Sequence, residues 1–235
     1  MRKEESEKGK FCNSYYESKI EIDCVVFRFE EKSLKVLLVK KENDFGNVEW
    51  RLPNCTMEQG DTIGTTAQKV LKKYISEDNF FLDQLKAFDY NTALSSKEKI
   101  SIGYYAMVCK KAMDDQESNS DIMWIDVRNT TCLEEKYKMI LDFSMIELKK
   151  NICCSAVGFN LLPEKFTLLQ VFNLYEEILG VTINKTNFRR KILQRKLVRG
   201  LDEKERGMSN RAAEFYILTV PKDEIFWNAK FNFNF

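Results

Sequence analysis

Apolar positions near the start of the chain follow a strand-like pattern. Ile20–Phe29 (IEIDCVVFRF) and Leu34–Val39 (LKVLLV) are rich in branched and aromatic residues and predict two strands. The polar Glu30–Ser33 between them is short enough for a hairpin turn. Charged Lys40–Asp44 and Gly46 predict a loop, and Trp50–Pro53 a short extended piece, because Pro53 biases Leu52 towards extended backbone. The period then changes. Ile63, Ala67, Val70, Leu71 and Tyr74 or Ile75 recur at helical spacing, so Thr65–Ile75 reads as an amphipathic helix behind Asp61–Gly64. Leu82–Tyr90, Ile100–Val108 and Ile122–Val127 return to strand-like composition, and Cys132–Leu148 is again helical, with Leu133, Tyr137, Ile140 and Leu141 on one face.

Gly158 and Pro163 break the helical pattern within residues 151–165 and mark a boundary. The expected organisation is a polar tail at 1–17, a first domain at 18–152 and a second at 153–235. The second carries the sharper signals. Thr167-Leu168-Leu169-Gln170 is a capping-box pattern that opens a helix through Leu179, with Leu168, Leu169, Phe172, Tyr175 and Ile178 facing inward. Gly180 stands where a C-terminal cap belongs, and Asn184 is a strong N-cap for a following helix, Lys185–Lys196. That helix buries Phe188, Ile192 and Leu193. Its other face shows Asn187, Arg190, Lys191 and Gln194, flanked by Arg189 and Arg195. Two helices joined by a short Gly-containing turn, the second basic on its open face, describe a helix-turn-helix. Leu197–Arg199 and Glu214–Val220, on either side of the charged turn Asp202–Asn210, add a β-hairpin wing.

Charge sharpens this picture. The whole chain is close to neutral, but residues 181–211 hold ten basic side chains against three acidic ones. On charge alone such a block fits a solvated helix face as well as a nucleic-acid surface. Combined with the helix-turn-helix pattern it favours DNA, because Arg and Gln can reach guanine and adenine edges while the other cations neutralise phosphates. The expected DNA contacts are Lys185, Thr186, Asn187, Arg189, Arg190, Lys191, Gln194 and Arg195 on the helix, with Lys204, Arg206 and Arg211 at the wing. The chain has no histidine, which removes every Ser-His-Asp or Cys-His relay and the zinc chemistry of H-E-x-x-H. Seven cysteines, an odd number without a C-x-x-C pair, fit reduced thiols in a cytoplasm better than a disulfide framework. No apolar run reaches membrane-spanning length, and the N-terminus lacks the apolar stretch of a secretory signal.

Leu52–Glu77 has the shape of a Nudix box, G-x5-E-x7-R-E-U-x-E-E-x-G-U, whose glutamates hold Mg²⁺ against a pyrophosphate. In register, the first glycine is Cys55 and the first glutamate Asp61. The arginine is Lys69, the next glutamate Val70, and the aliphatic position Leu71. The paired glutamates are Lys73 and Tyr74, and the second glycine is Ser76. The loop-helix frame is kept while the metal-binding face is lost, so no pyrophosphohydrolase activity is expected.

Together with Trp50–Pro53, Ile100–Ala106, Gly158–Leu168 and Asn187–Lys191, this segment makes roughly residues 20–220 resemble the Nudix-related transcriptional regulators of the NrtR type. The eroded box is more similar to their sugar-sensing, AraR-like branch. The resemblance implies an α+β chain, a Nudix-like α/β/α sandwich followed by a C-terminal winged helix-turn-helix domain. It also implies a cytoplasmic homodimer on a palindromic double-stranded DNA operator. Its function would be that of a repressor of sugar-utilisation genes, responding to L-arabinose or another pentose. Lys40, Trp50, Thr56, Asp89, Tyr90 and Tyr104 lie in segments that line the pocket in that fold and are the expected effector contacts. No catalytic residue, metal or cofactor is assigned. Two other readings stand beside this one. The first is a hydrolase of a nucleotide-sugar or ADP-ribose-like substrate with an altered metal site, using Glu58, Asp61 and Glu77. The second is a constitutive DNA-binding protein without an effector. Metal-dependent turnover of ADP-ribose separates the first, and indifference of DNA binding to any small molecule separates the second.

Overall fold

The computed structural model describes residues 19–42, 46–75, 80–89, 99–109, 120–204 and 213–219. Strands β1 (Lys19–Glu30) and β2 (Ser33–Glu42) form the expected antiparallel hairpin. Its turn is Glu31–Lys32, both with left-handed backbone at φ 53° and 63°. Two successive positive φ values give a turn the twist of the strands it joins. β2 runs on through Lys40 and Lys41, where the charge run had predicted a loop. The difference comes from β3 (Val48–Arg51), which pairs with that end of β2 and sets Lys40 opposite Trp50 and Lys41 opposite Glu49.

Strand β4 (Asn54–Thr56) pairs with the start of β1, and β6 (Lys99–Val108) runs parallel to β1 on its other edge. Strand β5 (Phe81–Asp89) lies outside β6, and β7 (Ile122–Asp126) pairs with β2, completing a mixed seven-stranded sheet. Helix α1 (Ile63–Lys72) packs Ala67, Val70 and Leu71 on one face, against Ile22, Cys24, Val26 and Tyr104. Helix α2 (Glu135–Cys154) packs Tyr137, Ile140, Leu141 and Leu148 on the other, against Val25, Phe27, Tyr105 and Met107. Alternate residues of β1 therefore serve opposite cores, which is why Cys24–Phe27 is a continuous apolar run. Helix α2 outlasts its expected end at Leu148 because Ile152, one turn further on, is also buried.

After a 3₁₀ turn at Val157–Leu161 come β8 (Phe166–Thr167), α3 (Leu168–Leu179), α4 (Lys185–Gln194), β9 (Val198–Lys204) and β10 (Glu214–Leu218). The last two strands form the wing, and β8 adds a third strand on β10 that the sequence pattern did not announce. The Thr167 hydroxyl accepts from the Gln170 N–H at 3.2 Å, and Gln170 Oε1 accepts from the Thr167 N–H at 2.7 Å, closing the capping box. Gly180 ends α3 at φ 69°, a conformation that costs other residues energy.

The inward faces need correction. In α3 the buried residues are Val171, Leu174, Tyr175 and Ile178, whereas Leu169 is 45% exposed. In α4 Phe188 and Ile192 are buried, but Leu193 is 38% exposed. Helix α3 is apolar on more than one stripe, so periodicity alone does not choose which stripe meets the core; packing against α2, β2 and β10 does.

The two halves share one apolar cluster, which extends from Phe27 and Tyr105 through Ile152, Phe159 and Tyr175 to Phe188 and Tyr216. A polar lock sits beside it. Glu177 of α3 accepts the Leu34 N–H at 3.1 Å and pairs with Arg128 at 3.2 Å. Arg128 also grips Asp126, which accepts the Ser33 hydroxyl at 2.6 Å. No helix among the described residues is long and apolar enough to cross a membrane. Arg206, Arg211 and Tyr90, and the aromatic end of the chain, lie outside the described residues.

Phe188 anchors α4, with its ring 5.4 Å from that of Tyr175 and 5.7 Å from that of Phe172. Phe188→Ala is expected to cost about 3–5 kcal/mol, the range for truncating a buried aromatic residue. Urea unfolding measures it, and a loss below about 1 kcal/mol would contradict the packing of α4 described here.

Candidate functional site

Helix α4 owes its presentation to the turn before it. Glu176 Oε1 accepts the Ile183 N–H at 2.9 Å, and the Asn184 side chain accepts the Asn187 N–H at 2.9 Å as the N-cap. With Phe188 and Ile192 facing the core, Lys185, Thr186, Asn187, Arg189, Arg190 and Gln194 are exposed. Lys191 and Arg195 are only half-buried at the margins. No carboxylate interrupts the helix, so its outer surface is uniformly cationic and rich in hydrogen-bond donors. Arg190 Nη2 donates to Asn187 Oδ1 at 3.3 Å, which aligns these two side chains. Leu193, expected in the core, instead lies beside Lys185, Thr186, Arg189 and Arg190 on this face. A lone apolar side chain among donors was invisible to periodicity, which assigns leucine inward. Lys204 closes β9. This geometry suits the major groove: a capped helix, with donors along one side and the β9–β10 wing alongside.

The second site lies at α1. Cys55, Thr56, Glu58, Asp61, Lys69, Lys72 and Lys73 line a cleft of about 400 Å³. Thr62 caps α1 by accepting the Thr65 N–H at 3.1 Å, which fixes the loop before it. Lys69 Nζ meets both oxygens of Asp61 at 2.7 Å. Lys41 Nζ donates to the carbonyl of Asn54, the residue before Cys55, at 2.9 Å and to the Asn54 side-chain oxygen. Burial pushes the Lys41 ammonium below the usual lysine value. Glu21 opposes that shift, while Lys73 and Arg51 reinforce it.

Behind the cleft is a buried polar network. Asn54 Nδ2 donates to Asp23 at 3.1 Å and to Tyr137 Oη at 3.3 Å, and Ser101 donates to Asp23. Lys136 Nζ pairs with Glu21 at 2.6 Å and with Asp23 at 2.9 Å. Burial raises the Asp23 carboxyl above the ordinary range against the pull of Lys136. Burial works against the Lys136 ammonium in turn, yet Asp23 and Glu21 together raise it.

Of the expected effector contacts, Thr56 lines this cleft. Lys40 and Trp50 face each other across β2 and β3, and Asp89 ends β5. Tyr104 is buried on the α1 side of the sheet and donates to Gln84 at 2.9 Å. Among the described residues, Thr56 is the one expected contact that lines the α1 cleft. Lys69, Lys72 and Lys73 of the lining were not on the expected list. Their spacing within one helical turn was the signal available for them.

A Nudix helix implies Mg²⁺ held by several hard oxygens. Here Asp61 is engaged by Lys69, Lys72 and Lys73 share the cleft, and among the described residues no three carboxylate or thiol groups converge on a point. The residues present do not fit a divalent cation.

Residues 158–218 match the family of NrtR DNA-binding winged helix domains. The chain is 24% identical over 200 residues to the ADPR responsive transcriptional repressor NtrR of Acinetobacter baylyi, a match spanning 83% of this chain and 80% of the relative. The structure of Shewanella oneidensis NrtR complexed with a 27mer DNA superposes with a TM-score of 0.77 at 23% identity, covering 88% of this chain and 96% of that one. A structure of S. oneidensis NrtR alone gives 0.74 at 24% identity over 85% and 94%. A MutT/nudix family protein from Enterococcus faecalis gives 0.65 at 15% identity over 88% and 90%. These likenesses establish the fold as a Nudix-like module followed by a winged helix.

The Lys136 network makes a pH-dependent prediction. Lys136→Met leaves Asp23 and Glu21 without their cation, at an expected cost of about 3–5 kcal/mol near neutral pH. The Asp23 carboxyl, already raised, rises further. A carboxyl whose folded value exceeds its unfolded one favours folding while protonated, and that contribution is lost as pH rises through the folded value. The deficit should therefore be small in acid and widen towards neutrality. Urea unfolding of both proteins across that range tests this, and a deficit independent of pH would refute the assignment.

Proposed function

We propose that this chain, an NrtR-type Nudix-fold transcription regulator with a C-terminal winged helix domain, is a repressor whose DNA binding is released by an effector of the ADP-ribose class. The observation that carries the DNA half is the carboxylate-free outer face of α4, held out by Phe188 and Ile192. Arg190 and Asn187 read base edges, Lys185, Arg189 and the wing meet phosphates, and Leu193 offers an apolar contact to a thymine methyl. Two copies on a palindromic operator would set two such helices about one DNA turn apart.

The effector half turns on the charge of the α1 cleft. A pentose needs neutral hydrogen-bonding groups and an aromatic platform, whereas the lining of this cleft has no aromatic residue and sets Lys69, Lys72 and Lys73 against Glu58 and Asp61. That favours a phosphate-bearing ligand, in keeping with the A. baylyi relative, a repressor described as ADPR responsive. The Nudix-like module is a sensor without hydrolysis, because carboxylates able to hold Mg²⁺ are replaced by Val70, Lys73 and Tyr74. Coupling runs along β2. Its Lys41 is tied to Asn54, the residue before the cleft residue Cys55, and its Ser33 and Leu34 are held at the Asp126–Arg128–Glu177 lock on α3. An effector that favours one position of β2 over another shifts α3 and α4, and must bind the two arrangements unequally to do so.

A fluorescence-anisotropy titration of the full-length protein against DNA from its own upstream region, at one fixed salt concentration, tests the proposal. Tight binding that ADP-ribose releases, with L-arabinose and D-xylose inert, is the expected result. Release by a pentose alone, or binding indifferent to all three, contradicts the effector assignment. Arg190→Ala should weaken specific binding by about tenfold or more with the melting temperature nearly unchanged. Unaltered operator affinity would remove α4 from the interface.

A further inference from the structure

A separate cavity of about 490 Å³ opens at the seam between the two modules and shares no residue with the α1 cleft. The cleft lies by the end of β1 that pairs with β4, and this cavity lies at the other end of β1. The β1–β2 turn walls it on one side, where the left-handed backbone of Glu31 and Lys32 fixes the course of the chain. Helix α3 walls it on the other, and Phe29, Leu161, Leu162 and Pro163 give it an apolar surface. A volume of this size is ordinary for a small-molecule site, about 300–1,000 Å³.

A few polar groups converge on that surface. Gln170 and Asn173 stand three residues apart on α3, so their amides share one face of it. Gln170 Oε1 is taken by the Thr167 N–H at 2.7 Å and the Thr167 hydroxyl at 3.3 Å, which leaves the Gln170 amide nitrogen to donate. Asn173 is half-buried, and its side chain has no hydrogen-bond partner among the described residues. Among the charged residues of the lining, Glu30 is committed to Arg28 at 2.8 Å and to Lys35 at 3.3 Å. Glu31 leans to Lys35 at 3.7 Å with its side chain largely in solvent. Lys32 pairs with no carboxylate among the described residues. Lys32 and Asn173 also line the open cleft next to this cavity, so both stand at the shared rim.

We infer that this cavity binds a small hydrophobic carboxylic acid, whose carboxylate meets Lys32 and the Asn173 and Gln170 amides while its hydrocarbon or aromatic body lies on Phe29, Leu161, Leu162 and Pro163. The division of labour follows from the lining. Burial of the apolar body drives binding, at about 25 cal/mol per Å² removed from water. A carboxylate at the rim keeps part of its hydration and gains charge-assisted hydrogen bonds, so it avoids the cost of a fully buried ion. The inference goes beyond the effector reading, since it uses neither the α1 cleft nor a phosphate. It also has a mechanical consequence. The hairpin turn and α3 supply facing walls, so an occupant binds while they are held together as here and stabilises the arrangement that the Glu177 lock also holds.

Calorimetric titration of the full-length protein with octanoate and with phenylbutyrate, each beside its uncharged carboxamide, tests the site. Each acid should bind saturably and more tightly than its carboxamide by about tenfold, the loss of one charge-assisted hydrogen bond. Lys32→Gln should remove most of that preference. Lys32 is exposed, so the fold should survive the change, and unchanged melting confirms that. Asn173→Leu is the second variant, expected to weaken both acids while leaving the apolar surface in place. A chemical readout locates the ligand. Cys109 lines the cavity and the exposed Cys132 does not, so bound octanoate should slow iodoacetamide labelling of Cys109 and leave Cys132 unchanged, as followed by peptide mass analysis. Absence of saturable binding, equal binding of the carboxamides, binding that ignores both substitutions, or unaltered labelling of Cys109 overturns the inference.

Discussion

A continuous apolar core joins the sheet to the winged helix, and the position of every functional group follows from it. Phe27 and Tyr105 on the sheet, Ile152 on α2, and Tyr175 and Phe188 on α3 and α4 belong to one cluster. Because interiors pack at near-crystalline density, a displacement at one end of such a cluster cannot be absorbed silently before it reaches the other. Helix α4 is thus tied to the Nudix-like module through side-chain packing as well as through the chain. The Glu177 lock adds direction to that connection. It fastens α3 to the Leu34 end of β2, the strand whose other end ties Lys41 to Asn54. Burial supplies most of the attachment, and the ion pair, partly exposed at Arg128, contributes orientation more than energy.

The α1 helix keeps the loop-helix frame of a Nudix-like module with a different outward face. Its inward face packs Ala67, Val70 and Leu71, and its start is capped at Thr62. The outward face has changed sign. Val70, Lys73 and Tyr74 stand where the motif has carboxylates, Lys69 and Lys72 add positive charge, and the acid Asp61 is paired with Lys69. The fold constrains the inner face strongly and the outer face weakly, so the outer face is free to change its charge without disturbing the core.

Much of this was legible in the chain. The Thr167–Gln170 capping box, the Gly180 cap and the Asn184 cap are local signals, complete within a few residues, and the structure reproduces each of them. The strand-and-helix order of the first module followed from a change of hydrophobic period. The errors lie where a residue's role depends on a distant partner. Lys40 and Lys41 read as loop because β3 was not visible as their pairing strand. Leu169 and Leu193 read as core because periodicity counts apolar residues without knowing which stripe meets a neighbour. Strand β8, two residues long, exists only because β10 pairs with it.

The sequence by itself determined the local elements, their caps, the basic character of residues 181–211 and the loss of the metal-binding carboxylates, since each depends on side-chain identity and short-range spacing. The tertiary structure alone decided that Lys41 would be held by Asn54, that Asn54, Asp23, Lys136 and Tyr137 would form one buried network, and that Glu177 would reach the Leu34 amide. These contacts join residues up to 143 positions apart, and they arise only when burial of the shared core brings their elements together.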